Sequence, residues 1–218
     1  MSRLNLLNYP VFIQANQFVI PTQQHDYPEW HRGREHYALW YLSIEHPALV
    51  QYLERLKQQF SDLLLTPNTR QFHITLYICG FSAVKKHWDD DFVEQQFQRQ
   101  LQALQHLQLQ PFQLQIGGIN SFNSALFVDV QDHAQQLCRI RQALSTAGAE
   151  IAALQYHPHI TLGLYQAEHS TNHILERIQN TAVQHFDLNI RHLNFGYYQA
   201  KTLQGPLFSS YQFPLGAS

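Results

Sequence analysis

One tetrapeptide, His-Ile-Thr-Leu, occurs twice in this chain, at 73–76 and at 159–162. On a β-strand the first and third residues project from one face and the second and fourth from the other. His73 and Thr75 would then share a surface, as would His159 and Thr161, with the Ile and Leu of each copy turned into the core. Two imidazoles and two hydroxyls suit the making or breaking of a phosphodiester bond. Histidine titrates near pH ~6.5, so a neutral ring can accept a proton from the attacking water or hydroxyl while a charged partner protonates the leaving oxygen. Threonine hydroxyls can donate hydrogen bonds to the non-bridging oxygens, where charge sits during the reaction. A single His-x-Thr carries little weight in a chain with 14 histidines. Two copies with the same apolar partners, half a domain apart, are much harder to obtain by chance.

Other residues compete for a place beside the motifs. Tyr77 follows Thr75 by an even step, and Tyr165 follows His159 by another, so strand alternation would put both rings on the motif face to stack on a base or bond a phosphate. Packing at the rim is an equal alternative. His157-Pro158-His159 has the spacing of a metal pair, but zinc normally wants a third and fourth ligand, and no cysteine or carboxylate cluster adjoins. The expectation is no metal and no cofactor, with His157 a substrate contact or an orienting group. Cys79 and Cys138 lie far apart in apolar surroundings and match no redox or metal spacing. Between Asp26 and Arg34 aromatic and basic residues alternate, so Trp30 and Arg34 are candidates for a base and a phosphate; a surface loop anchored by its tryptophan explains the pattern as well. Arg70 and Lys201 stand near expected strand ends or turns and read as ordinary surface charge, although either could reach a phosphate.

The elements that must position these groups can be read from periodicity. Strands are expected at 36–44, 71–79, 112–116, 125–130, 159–165, 186–198 and 207–213, the last two split by the Gly205-Pro206 turn. Leu49, Leu53, Leu56 and Phe60 mark a helix over 47–60, and further helices are expected from Asp89, from Asp132 to Gly148, and over 171–182. Val11-Phe12-Ile13 and Phe18-Val19-Ile20 could be short strands within an N-terminal extension, 1–35. Each motif strand has a helix before and after it. The economical fold is α+β and bilobal, with two antiparallel sheets flanked by outer helices, related by a pseudo-two-fold axis and facing a central cleft over 36–218.

Composition narrows the substrate. With 14 Lys+Arg against 16 Asp+Glu the net charge is -2, so bulk electrostatic binding of long nucleic acid is not expected, and a nucleotide or short RNA held in a cleft fits better. Glutamine crowds 94–115, where regular apolar residues make it a solvated helix face. The first twenty residues lack a secretory pattern, and no apolar run reaches the ~20 residues a bilayer requires. The expectation is a soluble, cytoplasmic monomer without a membrane partner.

The two motifs, with the order of helices and strands around them, resemble the two-histidine (2H) phosphoesterase superfamily over about residues 36–213. That superfamily includes bacterial 2'-5' RNA ligase-like proteins and cyclic nucleotide phosphodiesterases. The resemblance implies a bilobal α+β fold with a water-filled cleft, His73 and His159 as the catalytic pair, and Thr75 and Thr161 as phosphate binders. It implies a hydrolase involved in RNA processing that opens 2',3'-cyclic phosphates, cleaves 2'-5' or 3'-5' linkages, or carries out 2'-5' ligation. A binding module that holds RNA ends without turnover is the alternative. Some ligase-like members carry an arginine shortly after the second motif, where this chain has Gly163-Leu164-Tyr165.

Overall fold

The computed structural model describes residues 17–151 and 155–216. Chain order is α1 (Pro28–His31), β1 (His36–Ser43), α2 (Pro47–Gln59), β2 (His73–Ala83), β3 (Asp91–Val93), α3 (Glu94–His106), β4 (Phe112–Ser121), β5 (Ala125–Gln131), α4 (Gln136–Ser145), β6 (His159–Leu164), α5 (Thr171–Gln179), β7 (Phe186–Ile190), β8 (His192–Gln199) and β9 (Leu207–Pro214). Local chemistry sets these limits. Pro47 opens α2, the His46 ring accepts the Leu49 amide to cap it, and Leu49, Tyr52, Leu53 and Leu56 form its buried stripe.

Two antiparallel lobes result, β7-β4-β5-β6 and β2-β1-β8-β9, with β3 a short parallel addition to β2. The strands of the two lobes pair at a single register position, Ile74 opposite Ile160. The motifs are thus brought together at the centre of the molecule. The expected strand over 186–198 is two strands, because Arg191 lets the chain leave β4 on one lobe and join β1 on the other. A one-residue link between β7 and β8, which stand near opposite ends of the strand order, requires the sheet to curl. Its outer face carries the helices, and they are exchanged: α4 packs against β2 while α2 packs against β6. Each motif strand therefore rests on a helix from the other half. Ile74, Leu76, Ile160 and Leu162 are fully buried in that shared core, as the alternation predicts.

Beyond the Ile74/Ile160 crossing β2 and β6 diverge, and buried backbone groups left behind need partners. Side chains supply them. On β2, the Thr75 carbonyl accepts from the Tyr156 hydroxyl at 3.0 Å and the Leu76 carbonyl from Arg141 at 2.5 Å. The Ile78 amide donates to Glu150 at 3.0 Å, and Glu150 also pairs with Arg141 at 2.6 Å. On β6, Asn68 donates to the Leu162 carbonyl at 3.2 Å, and the Leu164 amide donates to the Gln204 side chain at 3.1 Å.

Two further expectations are corrected. Asp89 does not begin a helix. The Asp91 carboxylate accepts the His87 and Trp88 amides at 2.8 Å each, which folds a turn there and delays α3 to Glu94. Phe18 forms only an isolated bridge to Ser170, although the backbone from 17 to 22 is tied to the second lobe at His169, Asn123 and Tyr165. The stretch Val11-Phe12-Ile13 lies outside the described residues.

Candidate active site

Around the Ile74/Ile160 pair the antiparallel register places His73 opposite Thr161 and Thr75 opposite His159. Two residues along a strand span roughly 6.6 Å and facing residues on paired strands are about 5 Å apart, so the four backbone positions outline a frame wide enough for side chains to converge on a phosphate. All four are half-buried on the face opposite the isoleucines. Among the described residues neither threonine hydroxyl is committed to a protein partner.

The two imidazoles are held alike. His73 Nδ1 lies 2.9 Å from the Gln71 carbonyl, and His159 Nδ1 lies 2.7 Å from the His157 carbonyl. A carbonyl oxygen can only accept, so each Nδ1 carries hydrogen and each Nε2 is left with the exchangeable site. Both rings are shifted towards the neutral form. Burial pushes His73 down to about 4, and the positive charges of Arg70 and of a protonated His159 act in the same direction. Burial also lowers His159, with the nearby Asp129 carboxylate opposing the shift. The lobes therefore differ: a guanidinium stands near His73, a carboxylate near His159.

A stability prediction follows from the His73 shift. The unfolded chain takes up a proton near pH ~6.5 that the folded ring refuses until about pH 4, so stability is present above that range and lost as pH falls through it. Thermal melts of His73→Asn and wild type, compared from pH 7 to 4, should show the smaller acid decline in the variant; parallel declines would contradict the shift.

The walls come from neighbouring strands. On the second lobe the Phe122 and Phe127 rings meet the His159 ring edge-on, at 4.9 and 5.2 Å between centroids. Asp129, the register partner of His159, accepts from His157 Nε2 at 2.6 Å and from Asn120 at 3.3 Å. His157 therefore contacts the site twice, through its carbonyl to His159 and through its ring beside it, 6.5 Å away and nearly parallel. On the first lobe Tyr41 meets His73 edge-on at 6.0 Å.

The other candidates fall elsewhere. Tyr77 is 2% exposed and its hydroxyl donates to the Gly148 carbonyl at 2.6 Å; Tyr165 is 0% exposed and its hydroxyl pairs with Ser121 at 2.6 Å. The parity argument for these rings fails because each motif is followed by a β-bulge. Tyr41 and Trp40 face Thr75 and Tyr77, and Phe127 and Leu126 face Thr161 and Gly163, leaving Leu76 and Leu162 as the extra residues. One extra residue reverses the alternation from there on. Trp30 packs on Tyr37 and Phe81, and Arg34 forks onto Asp90 and Asp91 at 2.6 to 2.9 Å. Phe81 stands eight positions along β2 from His73, and the contacts of Trp30 and Arg34 named above involve neither motif. Among the described residues no three His, Cys, Asp or Glu side chains gather as a metal cluster, and no helix is long and apolar enough to cross a membrane. Cavities of about 530 and 600 Å³, lined by residues such as Leu104 and Tyr211 or Phe92 and Phe97, do not border the motifs.

The family model of the 2'-5' RNA ligase superfamily matches residues 45–202, a span that contains both motifs. The chain belongs to the 2'-5' RNA ligase superfamily. Solved structures share the fold. TT0787 of Thermus thermophilus superposes with a TM-score of 0.55 at 12% identity, over 83% of this chain and 98% of its own. Escherichia coli LigT complexed with NADP+ and with 3'-AMP superposes with a TM-score of 0.53 at 10% identity in each case, over 84% of this chain and 99% of LigT. No curated protein matches the chain. Membership supports phosphoesterase-type activity of the two-histidine kind. In this member of the superfamily the groups beside the motifs that pattern reading overlooked are Asp129, Tyr41 and the Phe122/Phe127 pair. A lone carboxylate inside the apolar run Ala-Leu-Phe-Val-Asp-Val was the available signal for Asp129.

Proposed function

We propose that the chain is a metal-independent phosphodiesterase acting on small ribonucleotides that carry a 2',3'-cyclic phosphate or a 2'-5' linkage. The observation that carries this reading is the pairing of the two motifs at Ile74/Ile160 with both Nδ1 atoms tied to carbonyls, which turns both Nε2 atoms to proton exchange. The LigT complexes with 3'-AMP and NADP+ support a nucleotide as the class of ligand. In cyclic phosphate hydrolysis, His73 Nε2 takes a proton from water and the water oxygen bonds to phosphorus. The P–O bond to one ribose oxygen breaks, and that oxygen receives the proton of His159 Nε2, giving a phosphomonoester. Burial is the main reason both rings are lowered; Arg70 adds to the shift at His73, while at His159 the lowering charge of His157 is opposed by Asp129, and this asymmetry is the basis for taking His73 as base and His159 as acid. The roles exchange in the reverse direction, as microscopic reversibility requires. Thr75 and Thr161 donate to the non-bridging oxygens.

The pH profile tests the assignment. The kcat/KM profile reports the free protein, where His73 titrates near 4 and His159 below its usual value, so its optimum should lie on the acid side of ~6.5. A bound phosphate anion raises both rings, and the kcat optimum should move upward. The measurement is steady-state kinetics on a panel of 2',3'-cyclic mononucleotides and 2'-5' and 3'-5' dinucleotides, with and without chelator. No turnover of any of them, or activity abolished by chelator and restored by a metal ion, would refute the proposal.

A further inference from the structure

Arg70 differs from the other buried guanidinium groups in having no counter-ion among the described residues. Arg34, Arg141 and Arg177 each pair with a carboxylate, Asp90, Glu150 and Asp62 respectively. Arg70 is half-buried, and its contacts are with neutral groups. They hold its side chain in place. Nε donates to the Gly205 carbonyl at 3.0 Å, and the guanidinium lies over the Tyr198 ring, 4.0 Å from its centroid. The backbone amide is tied to the Asn68 side chain at 3.2 Å. A carbonyl and a phenol thus occupy part of the guanidinium and leave its charge unbalanced. That charge reaches the site, since it disfavours protonation of His73. A partly buried, fixed guanidinium without a carboxylate offers the planar donor edge that recognises phosphate oxygens.

The location is asymmetric, and that decides what it would bind. The residue three before His159 is Tyr156, whose hydroxyl is used on the Thr75 carbonyl; the guanidinium over its ring, Arg141 at 3.8 Å, is already paired with Glu150, so the second lobe offers no unbalanced cation at the equivalent place. The scissile phosphate is served from both sides of the pseudo-axis by the two His-x-Thr pairs. Arg70 stands three residues before His73, on that lobe only, and against the 200–206 turn in which Lys201 is exposed.

We propose that Arg70 anchors a second anion subsite, which takes a phosphate of the substrate other than the scissile one. The substrate class is then a nucleotide or short oligonucleotide bearing an additional phosphate, in preference to a bare nucleoside cyclic phosphate. This rests on the phosphodiesterase reading for the scissile position and adds a specificity element to it.

Binding separates the two ideas. Titration calorimetry with adenosine 3',5'-bisphosphate and with 3'-AMP gives the Kd ratio without turnover. Wild type should bind the bisphosphate about ten to a hundred times more tightly, as expected for a charge-assisted contact. Arg70→Gln should bring that ratio within about threefold of unity, and Arg70→Lys, which keeps a point charge, should retain part of it. A wild-type ratio near one would overturn the subsite, as would an Arg70→Gln variant that weakens both ligands equally, which would place Arg70 on the scissile phosphate. If Arg70→Gln does not fold, the lysine variant and the loss of the wild-type ratio at high salt decide the matter. Failure to turn over cyclic substrates would defeat the catalytic reading while the binding ratio still judged the subsite.

Discussion

Replacing His73 or His159 by alanine should each lower kcat on a 2',3'-cyclic nucleotide by about 10²–10⁴-fold. Each Nε2 is the only proton-exchanging atom that its motif offers, because the threonine beside it is not a base at neutral pH. The losses should not add. Once one proton transfer is missing, the other has no partner to act with, so the double variant should sit close to the worse single variant, as catalytic groups that work as a unit do. KM should move much less, since phosphate contacts to the threonines survive. Structural damage is separable from chemical loss. Both rings are half-buried and each makes a hydrogen bond to the backbone two residues earlier, so melting temperatures can be compared directly with those of glutamine variants that keep the volume. Either alanine variant retaining more than about a tenth of wild-type kcat would remove the acid–base pair from the mechanism.

The motif positions were legible before any coordinates because two short-range rules suffice. Alternation turns His and Thr away from Ile and Leu, and repetition implies a two-fold relation; Ile74 facing Ile160 satisfies both. The α+β class and the order of elements follow from periodicity in the same way. What lay out of reach depended on register or on distant partners. Tyr77 and Tyr165 leave the motif face through bulges at Leu76 and Leu162, and a bulge depends on how the neighbouring strand pairs, which no local pattern records. Arg34 and Arg70 show the same limit from the charge side. Arg34 reads as a candidate phosphate contact and Arg70 as ordinary surface charge, yet Arg34 is consumed by Asp90 and Asp91 fifty-odd residues away, while Arg70 meets a carbonyl and a ring from the far end of the chain. The division of 186–198 between lobes likewise turns on a single residue, Arg191, whose type gives no warning of it.

Thr75→Val and Thr161→Val should show why the motif needs its third residue. Valine keeps the branched shape that suits a strand and removes the hydroxyl, so the change isolates a hydrogen bond to the phosphate. Loss of one donor to an oxygen that gains charge in the transition state typically costs ~10²–10³ in kcat, and each variant should fall in or just below that range. The register gives a sharper expectation. Thr161 stands opposite His73 and Thr75 opposite His159, on the two sides of the pseudo-axis, so each hydroxyl addresses a different non-bridging oxygen. Replacing one of those oxygens by sulfur makes the phosphorus chiral, and sulfur accepts hydrogen bonds poorly. The Rp and Sp thio-substrates should therefore be turned over unequally by the two variants: one isomer should add little to the defect of Thr75→Val and much to that of Thr161→Val, and the other isomer the reverse. Equal sensitivity of both variants to both isomers would mean that the threonines do not divide the phosphate between them, and the two-fold placement of substrate on Ile74/Ile160 would have to be abandoned.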